Sequence, residues 1–262
     1  MMTSRNRFFP VAALVSLALA SGACGDDNPA GPTFTPIAPT VLVIQGTLAA
    51  GASNYFPFAL AETATIHAQL ISIAPTGTEN LLSVPVKVGF GTPTDTECTL
   101  TVSANVTPSL VGAVAPVVNP GSYCVFIGDL GNLPDSTDYV IRITEDPIRT
   151  PLITNPAPAT DTFTTNLGIG GTSTRAFNAR INGTASLTLQ TIGPPPSLQV
   201  GFALGVPRQD GTGCLISKIV TTGAGSAPQI SMTVDEGSYC VRVSDPGTMT
   251  APTTFTVQIV RP

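Results

Sequence analysis

A chain of 262 residues with 42% hydrophobic side chains can bury two cores of ordinary size, while its 10% of charged residues falls well below the roughly 25% of an average globular protein. Net charge −5 and the lack of any Lys/Arg cluster exclude a nucleic-acid partner. Twenty-five Gly, 25 Pro and no Trp, without a run of amphipathic helical period, exclude a helical bundle and point to short strands joined by turns.

Residues 1–23 read as a signal peptide. Arg5 and Arg7 form a positive start, residues 11–20 (VAALVSLALA) a short apolar stretch, and Ser21, Gly22 and Ala23 the small residues before a cleavage point. The apolar run is shorter than the roughly 20 residues a spanning helix needs. Cys24 follows, and Leu19 to Cys24 resembles the lipobox of bacterial lipoproteins, with Ser21 where that family has Leu. The resemblance implies lipidation of Cys24; the small residues would also suit ordinary signal peptidase and simple secretion. Residues 24–41 then form a Pro-rich linker.

The rest of the chain is one unit written twice. Gly121-Ser122-Tyr123-Cys124-Val125 returns 116 positions later as Gly237-Ser238-Tyr239-Cys240-Val241, and Cys98/Cys214 and Asp129/Asp245 keep that offset. Val88-Gly89-Phe90 aligns with Val200-Gly201-Phe202, and residues 64–69 (ATIHAQ) with residues 185–190 (ASLTLQ). The expected domains are residues 42–146 and 162–262, joined by a Pro-rich connector at 147–161. Apolar residues alternate with period two: Tyr139, Ile141 and Ile143 on one face, Val140, Arg142 and Thr144 on the other. The fold class predicted is all-β, two tandem antiparallel jelly-roll-like β-sandwiches with one face of each sheet buried.

Gly46-Thr47-Leu48, residues 54–58 (NYFPF), residues 120–125, Asp129 and residues 139–143, with their second-copy counterparts, resemble the bacterial pre-peptidase C-terminal domain. That resemblance implies a jelly-roll-like sandwich on a secreted protein. The family's usual acidic residues before the first aromatic strand are replaced here by Asn54 and Arg175, which speaks against the calcium binding of some members, and no peptidase accompanies the modules.

Five cysteines leave one unpaired. Equivalent positions in two copies form equivalent bonds, so Cys98–Cys124 and Cys214–Cys240 are expected, each contributing about 3–4 kcal/mol, and Cys24 is left for lipid. With one His and no Cys-x-x-Cys, a zinc site is not expected.

No Gly-x-Ser-x-Gly, His-Glu-x-x-His or P-loop pattern occurs. His67 is expected on the outward face with Thr65 and Gln69, matched by Thr188 in the second copy. Asp129-Leu130-Gly131 and Asp245-Pro246-Gly247 read as turns closed by the Asp side chain. No cofactor is expected, calcium being the alternative at Asp129, Asp135 and Asp138. Asp235-Glu236 and Asp95 with Glu97 read as solvated turn residues. The reading that follows is a non-catalytic lipoprotein, anchored in the cell envelope at the outer membrane or cell surface, that attaches to an envelope protein or a glycan. A small-ligand, glycan or calcium-binding lipoprotein, or an enzyme with an unrecognised site, is the alternative.

Overall fold

β-Branched and aromatic residues alternate with Thr and Ser along most of the chain, and Gly, Pro, Asn and Asp punctuate it, so strands and tight turns form in sequence. The computed structural model describes residues 40–148 and 157–262. The expected signal peptide, Cys24, the linker to residue 39 and residues 149–156 of the connector lie outside the described residues.

The first copy contains β1 (Thr40–Leu48), β2 (Ser53–Leu60), β3 (Ala64–Pro75), β4 (Val86–Pro93), β5 (Cys98–Val106), β6 (Val117–Val118), β7 (Gly121–Asp129) and β8 (Thr137–Pro147). The second contains β9 (Ala159–Leu167), β10 (Thr172–Ala179), β11 (Gly183–Gly193), β12 (Val200–Pro207), β13 (Cys214–Thr222), β14 (Ile230–Val234), β15 (Gly237–Ser244) and β16 (Thr253–Arg261). Four antiparallel sheets result: β1-β8-β3-β6 with β2-β7-β4-β5, and β9-β16-β11-β14 with β10-β15-β12-β13. Numbered within each copy, both read 1-8-3-6 and 2-7-4-5, the eight-stranded order of a jelly roll.

Pairing extends each copy past its expected bounds. Thr40 and Val41 pair with Glu145 and Thr144, Pro147 pairs with Ala64, and Ala159 to Asp161 pair with Arg261 to Ile259. Residues at both ends of the expected connector therefore belong to strands.

Inside the first sandwich, Ile66 and Leu70 of β3, Val88 and Phe90 of β4, Val125 and Ile127 of β7, and Tyr139, Ile141 and Ile143 of β8 form the core. Leu187, Leu189, Phe202, Leu204, Tyr239, Val241, Phe255, Val257 and Ile259 do so in the second. The disulfides Cys98–Cys124 and Cys214–Cys240 form as expected, both with Cα–Cα 5.9 Å, tying β5 to β7 and β13 to β15.

The ladders correct two details of the repeat. Val88 faces Ile127 and Phe90 faces Val125, whereas in the second copy Phe202 faces Val243 and Leu204 faces Val241. Phe202 is therefore the counterpart of Val88, two residues from the sequence alignment. Ala68 and Leu70 pair with Ile143 and Ile141 as Leu187 and Leu189 pair with Ile259 and Val257. His67 thus corresponds to Ser186, and Thr188 corresponds to Gln69. Both β3 and β11 carry a bulge just beyond these positions, between Leu70 and Ser72 and between Leu189 and Thr191.

Candidate functional site

The expectation of one solvated face per sheet fails for β1-β8-β3-β6. Its outer face is covered by the second sandwich, which puts Gln69, Arg142, Val140 and Thr144 at 0%, 2%, 8% and 6% exposure. Ile71, Leu110 and Val140 join the core cluster of the second copy, and Leu81 packs on Ala203, Ile216 and the Cys214–Cys240 bridge. At the rim, Arg242 pairs with the exposed Glu79, and Arg208 Nη1 donates to Gln45 Oε1 at 3.2 Å. The Arg242 guanidinium holds the Glu79 carboxyl below its ordinary range.

The centre of this seam is polar and closed. Arg142 donates from Nε to Gln69 Oε1, from Nη1 to the Ser238 carbonyl at 2.9 Å and from Nη2 to the Tyr239 hydroxyl at 2.6 Å. Its Cζ lies 4.6 Å from the Tyr239 ring centroid. Gln69 Nε2 in turn donates to the Leu110 carbonyl at 3.0 Å and to Asp235 Oδ2 at 2.9 Å. Asp235 Oδ2 also accepts from the Gly112 N–H at 2.7 Å, and the Asp235 N–H donates to the Leu110 carbonyl at 3.1 Å. The Tyr239 hydroxyl completes the circuit by donating to the Asp235 carbonyl at 2.7 Å. A buried cation with a hydrogen bond from each of its three nitrogens is tolerated where a lone one would not be. Burial pushes the Tyr239 phenol above its usual range, against the pull of Arg142. Asp235 is therefore half-buried at a junction rather than a solvated turn residue.

Beside this network a cleft of about 390 Å³ opens between the copies, lined among others by His67, Gln69, Asp146, Asn182, Asp235 and Glu236. His67, expected on open surface, is half-buried in its wall. Asn182 Oδ1 accepts from the Glu236 N–H at 2.7 Å. The sequence offered no signal that these residues meet in one cleft, since they come from both copies and lie far apart in the chain. A smaller hollow of about 240 Å³ lies by Lys87, Phe126, Gly128 and Asp129.

The three calcium candidates are not brought to one point. Asp129 accepts from the Gly51 N–H through Oδ2, at 2.8 Å, and from Gly131, Asn132 and Leu133 through Oδ1. Asp138 accepts from the Thr47 hydroxyl and the Gly77 N–H, both at 2.8 Å, and Asp135 from the Ser136 N–H. Asp245 repeats Asp129, accepting from Gly170, Gly247, Thr248 and Met249. These backbone bonds, the Gly51 and Gly170 ones foremost, hold both carboxyls below the usual Asp range. Among the described residues no group of three or more His, Cys, Asp or Glu is placed to hold a metal ion.

No protein-family model matches the chain, and no curated protein matches it. Among solved structures it is similar to the exported protein XepA of PBSX, at 12% identity and TM-score 0.30 over 86% of this chain and 88% of that one. It is also similar to a fucolectin from striped bass (Morone saxatilis) serum, at 10% identity and TM-score 0.24 over 83% and 85%. A Paenibacillus xanthan lyase matches at 12% identity and TM-score 0.25, over 86% of this chain and 25% of the lyase.

Proposed function

We propose that the chain is an exported, lipid-anchored cell-envelope protein whose paired sandwiches form a non-catalytic scaffold for adhesion or partner attachment. The observation that carries the reading is the seam. A buried arginine satisfied across two sandwiches gives them one specific relative geometry, which suits presentation of a surface. Two disulfides belong to an oxidising compartment. Residues 1–23 supply the address, and Cys24 remains as the cysteine without a partner in the repeat. Several acyl chains on Cys24 would hold the protein on a membrane, where one chain would bind marginally. Growing cells fed an alkyne fatty acid should label the wild-type chain and leave Cys24→Ser unlabelled and soluble. Labelling of the variant, or a soluble wild type, would end the reading.

A second reading, capture of a small polar ligand, is favoured by the cleft between the copies. Calorimetry with a panel of sugars and amines, repeated on Asn182→Ala, separates the two: heat lost in the variant supports ligand capture.

A further inference from the structure

Past the sealed rung of Gln69 and Arg142, the next rungs of the same sheet face put His67, Thr144 and Asp146 in one wall of the cleft. The turns before β11 and β15 put Asn182 and Asp235 in the other. Gly112 lets the two walls approach: a Cβ there would lie 3.2 Å from His67 Nδ1 and 3.4 Å from Asp235 Oδ2.

Each of these side chains has hydrogen-bonding capacity left over. Asp235 accepts from Gln69 and Gly112 through Oδ2 and keeps Oδ1. Asn182 accepts through Oδ1 and keeps its Nδ2 protons. The His67 ring, the Asp146 carboxylate and the Thr144 hydroxyl bond to no described residue. Thr144 is the most telling, because it is only 6% exposed. Its oxygen is not one of the sealed, partnerless atoms, which among the described residues are Ser217 Oγ, Arg242 Nε and Thr253 Oγ1, so it opens on the cleft. The second copy has Val260 at this position, opposite Ser186 as Thr144 is opposite His67. Valine has the same shape and no hydroxyl to satisfy, so threonine gains over it only when a group in the cleft bonds to the oxygen.

The charge of the walls selects the ligand. Asp146 and Asp235 face the cleft, and among the described residues no lysine or arginine lines it. Arg142, the nearby cation, has its three nitrogens turned to Gln69, Ser238 and Tyr239. Since no group of the described residues is placed to hold a metal ion, the cation is an organic one. Thr144, Asn182 and His67 are neutral partners of the kind that bond hydroxyls, and about 390 Å³ is at the small-ligand end of binding clefts. We infer that the cleft takes a hydroxylated primary ammonium, the chemistry of an amino sugar with its amine free. Asp146 and Asp235 Oδ1 hold the ammonium, and Thr144, Asn182 and His67 meet the hydroxyls. The inference rests on the ligand-capture reading and narrows it to one class of ligand.

The test is calorimetry of the chain, both disulfides intact, with glucosamine, N-acetylglucosamine and glucose. Glucosamine should bind saturably and about tenfold or more tightly than the other two, which lack the charge. Asp146→Asn, at an exposed position, should weaken glucosamine by about tenfold and leave Tm unchanged. Thr144→Val should also weaken it without lowering Tm; should that variant fold poorly, Asp146→Asn decides alone. A free amino sugar and a deacetylated glycan share this chemistry, so a glucosamine trimer is the further arm: tighter binding than the monomer makes the source a glycan, and equal binding the free sugar. No heat with glucosamine, an equal response to N-acetylglucosamine, or an unchanged affinity in Asp146→Asn overturns the inference. If glucosamine fails while another sugar or amine gives heat that Asn182→Ala loses, ligand capture stands without this ligand; if nothing binds, both fall.

Discussion

Arg142 and Tyr239 belong to different sandwiches, yet the guanidinium of one lies 4.6 Å from the ring centroid of the other and donates to its hydroxyl at 2.6 Å. This contact turns two repeats into one seam, because Arg142 joins Gln69 of the first copy to Ser238 and Tyr239 of the second, and Gln69 in turn donates to Asp235.

Arg142→Leu should therefore cost about 3 kcal/mol, the scale of leaving several buried partners of a charged group unsatisfied. Arg142→Lys should recover only part of it, since an ammonium cannot reach Gln69, Ser238 and Tyr239 together. Calorimetry should show one unfolding transition in the wild type and two in the Leu variant, as each sandwich melts on its own core. A single, equally cooperative transition in Arg142→Leu would show that the apolar contacts of Ile71, Leu110 and Val140 suffice.

Each disulfide closes a loop of 26 residues. In the loop-entropy treatment this contributes about 3.5 kcal/mol per bond. The paired variants Cys98→Ala with Cys124→Ala, and Cys214→Ala with Cys240→Ala, should each lose stability on this scale under denaturant. The second pair should lose more, because its bridge also forms part of the seam against Leu81. Equal losses would mean that Leu81 contributes nothing there.

Acid should loosen the two Asp-closed turns. The Asp129 and Asp245 carboxyls titrate below their ordinary range because backbone N–H groups hold the charged form. A depressed folded pKa gives stability that is complete above the unfolded value, about 3.9, and is lost as pH falls through the lower folded value. Asp129→Ala and Asp245→Ala should lower Tm at pH 6, and the gap to wild type should narrow below about pH 3. A gap that stays constant to pH 2 would show that the carboxylate charge is not what secures the turns.

The inward half of this fold was legible and the seam was not, for one reason. Period-two alternation identifies the apolar side of a strand, and Tyr139, Ile141 and Ile143 fell inside as expected, but the polar side reads alike whether it meets water or another sandwich. Gln69, Arg142 and Thr144 look like solvent residues in sequence and are buried because a second copy sits on them. The cysteine pairs were legible because bonded residues must lie together in each copy. The strand equivalences slipped by two residues because a two-residue slip keeps every side chain on its face. The sequence likeness of residues 64–69 to residues 185–190 matched Ile66 to Leu187, where the ladders put Ala68. Gly46 has a reason visible only in three dimensions: a Cβ there would lie 2.5 Å from the Tyr139 hydroxyl oxygen. The second copy pairs Thr165 with Phe255 at this rung, and Phe has no hydroxyl to avoid.

Gly91 of β4 and Gly205 of β12 sit opposite matching bulges in β5 and β13, which carry an extra residue between Leu100 and Val102 and between Ile216 and Lys218. A Cβ at either site would stand 1.9 Å from a backbone carbonyl oxygen, that of Thr99 or of Leu215. Backbone cannot swing aside as a side chain does, so relief requires the bulge to open and β5 or β13 to shift, displacing the cysteine that begins each strand. Gly91→Ala and Gly205→Ala should each cost more than about 2 kcal/mol, at the upper end of ordinary single substitutions. Both should also slow formation of the local disulfide during oxidative refolding, Cys98–Cys124 in the first case and Cys214–Cys240 in the second. Denaturant curves for the two variants, with mass-spectrometric timing of each bond, check this. A loss under about 0.5 kcal/mol, with bonds closing at the wild-type rate, would show that the bulges give way without moving the cysteines.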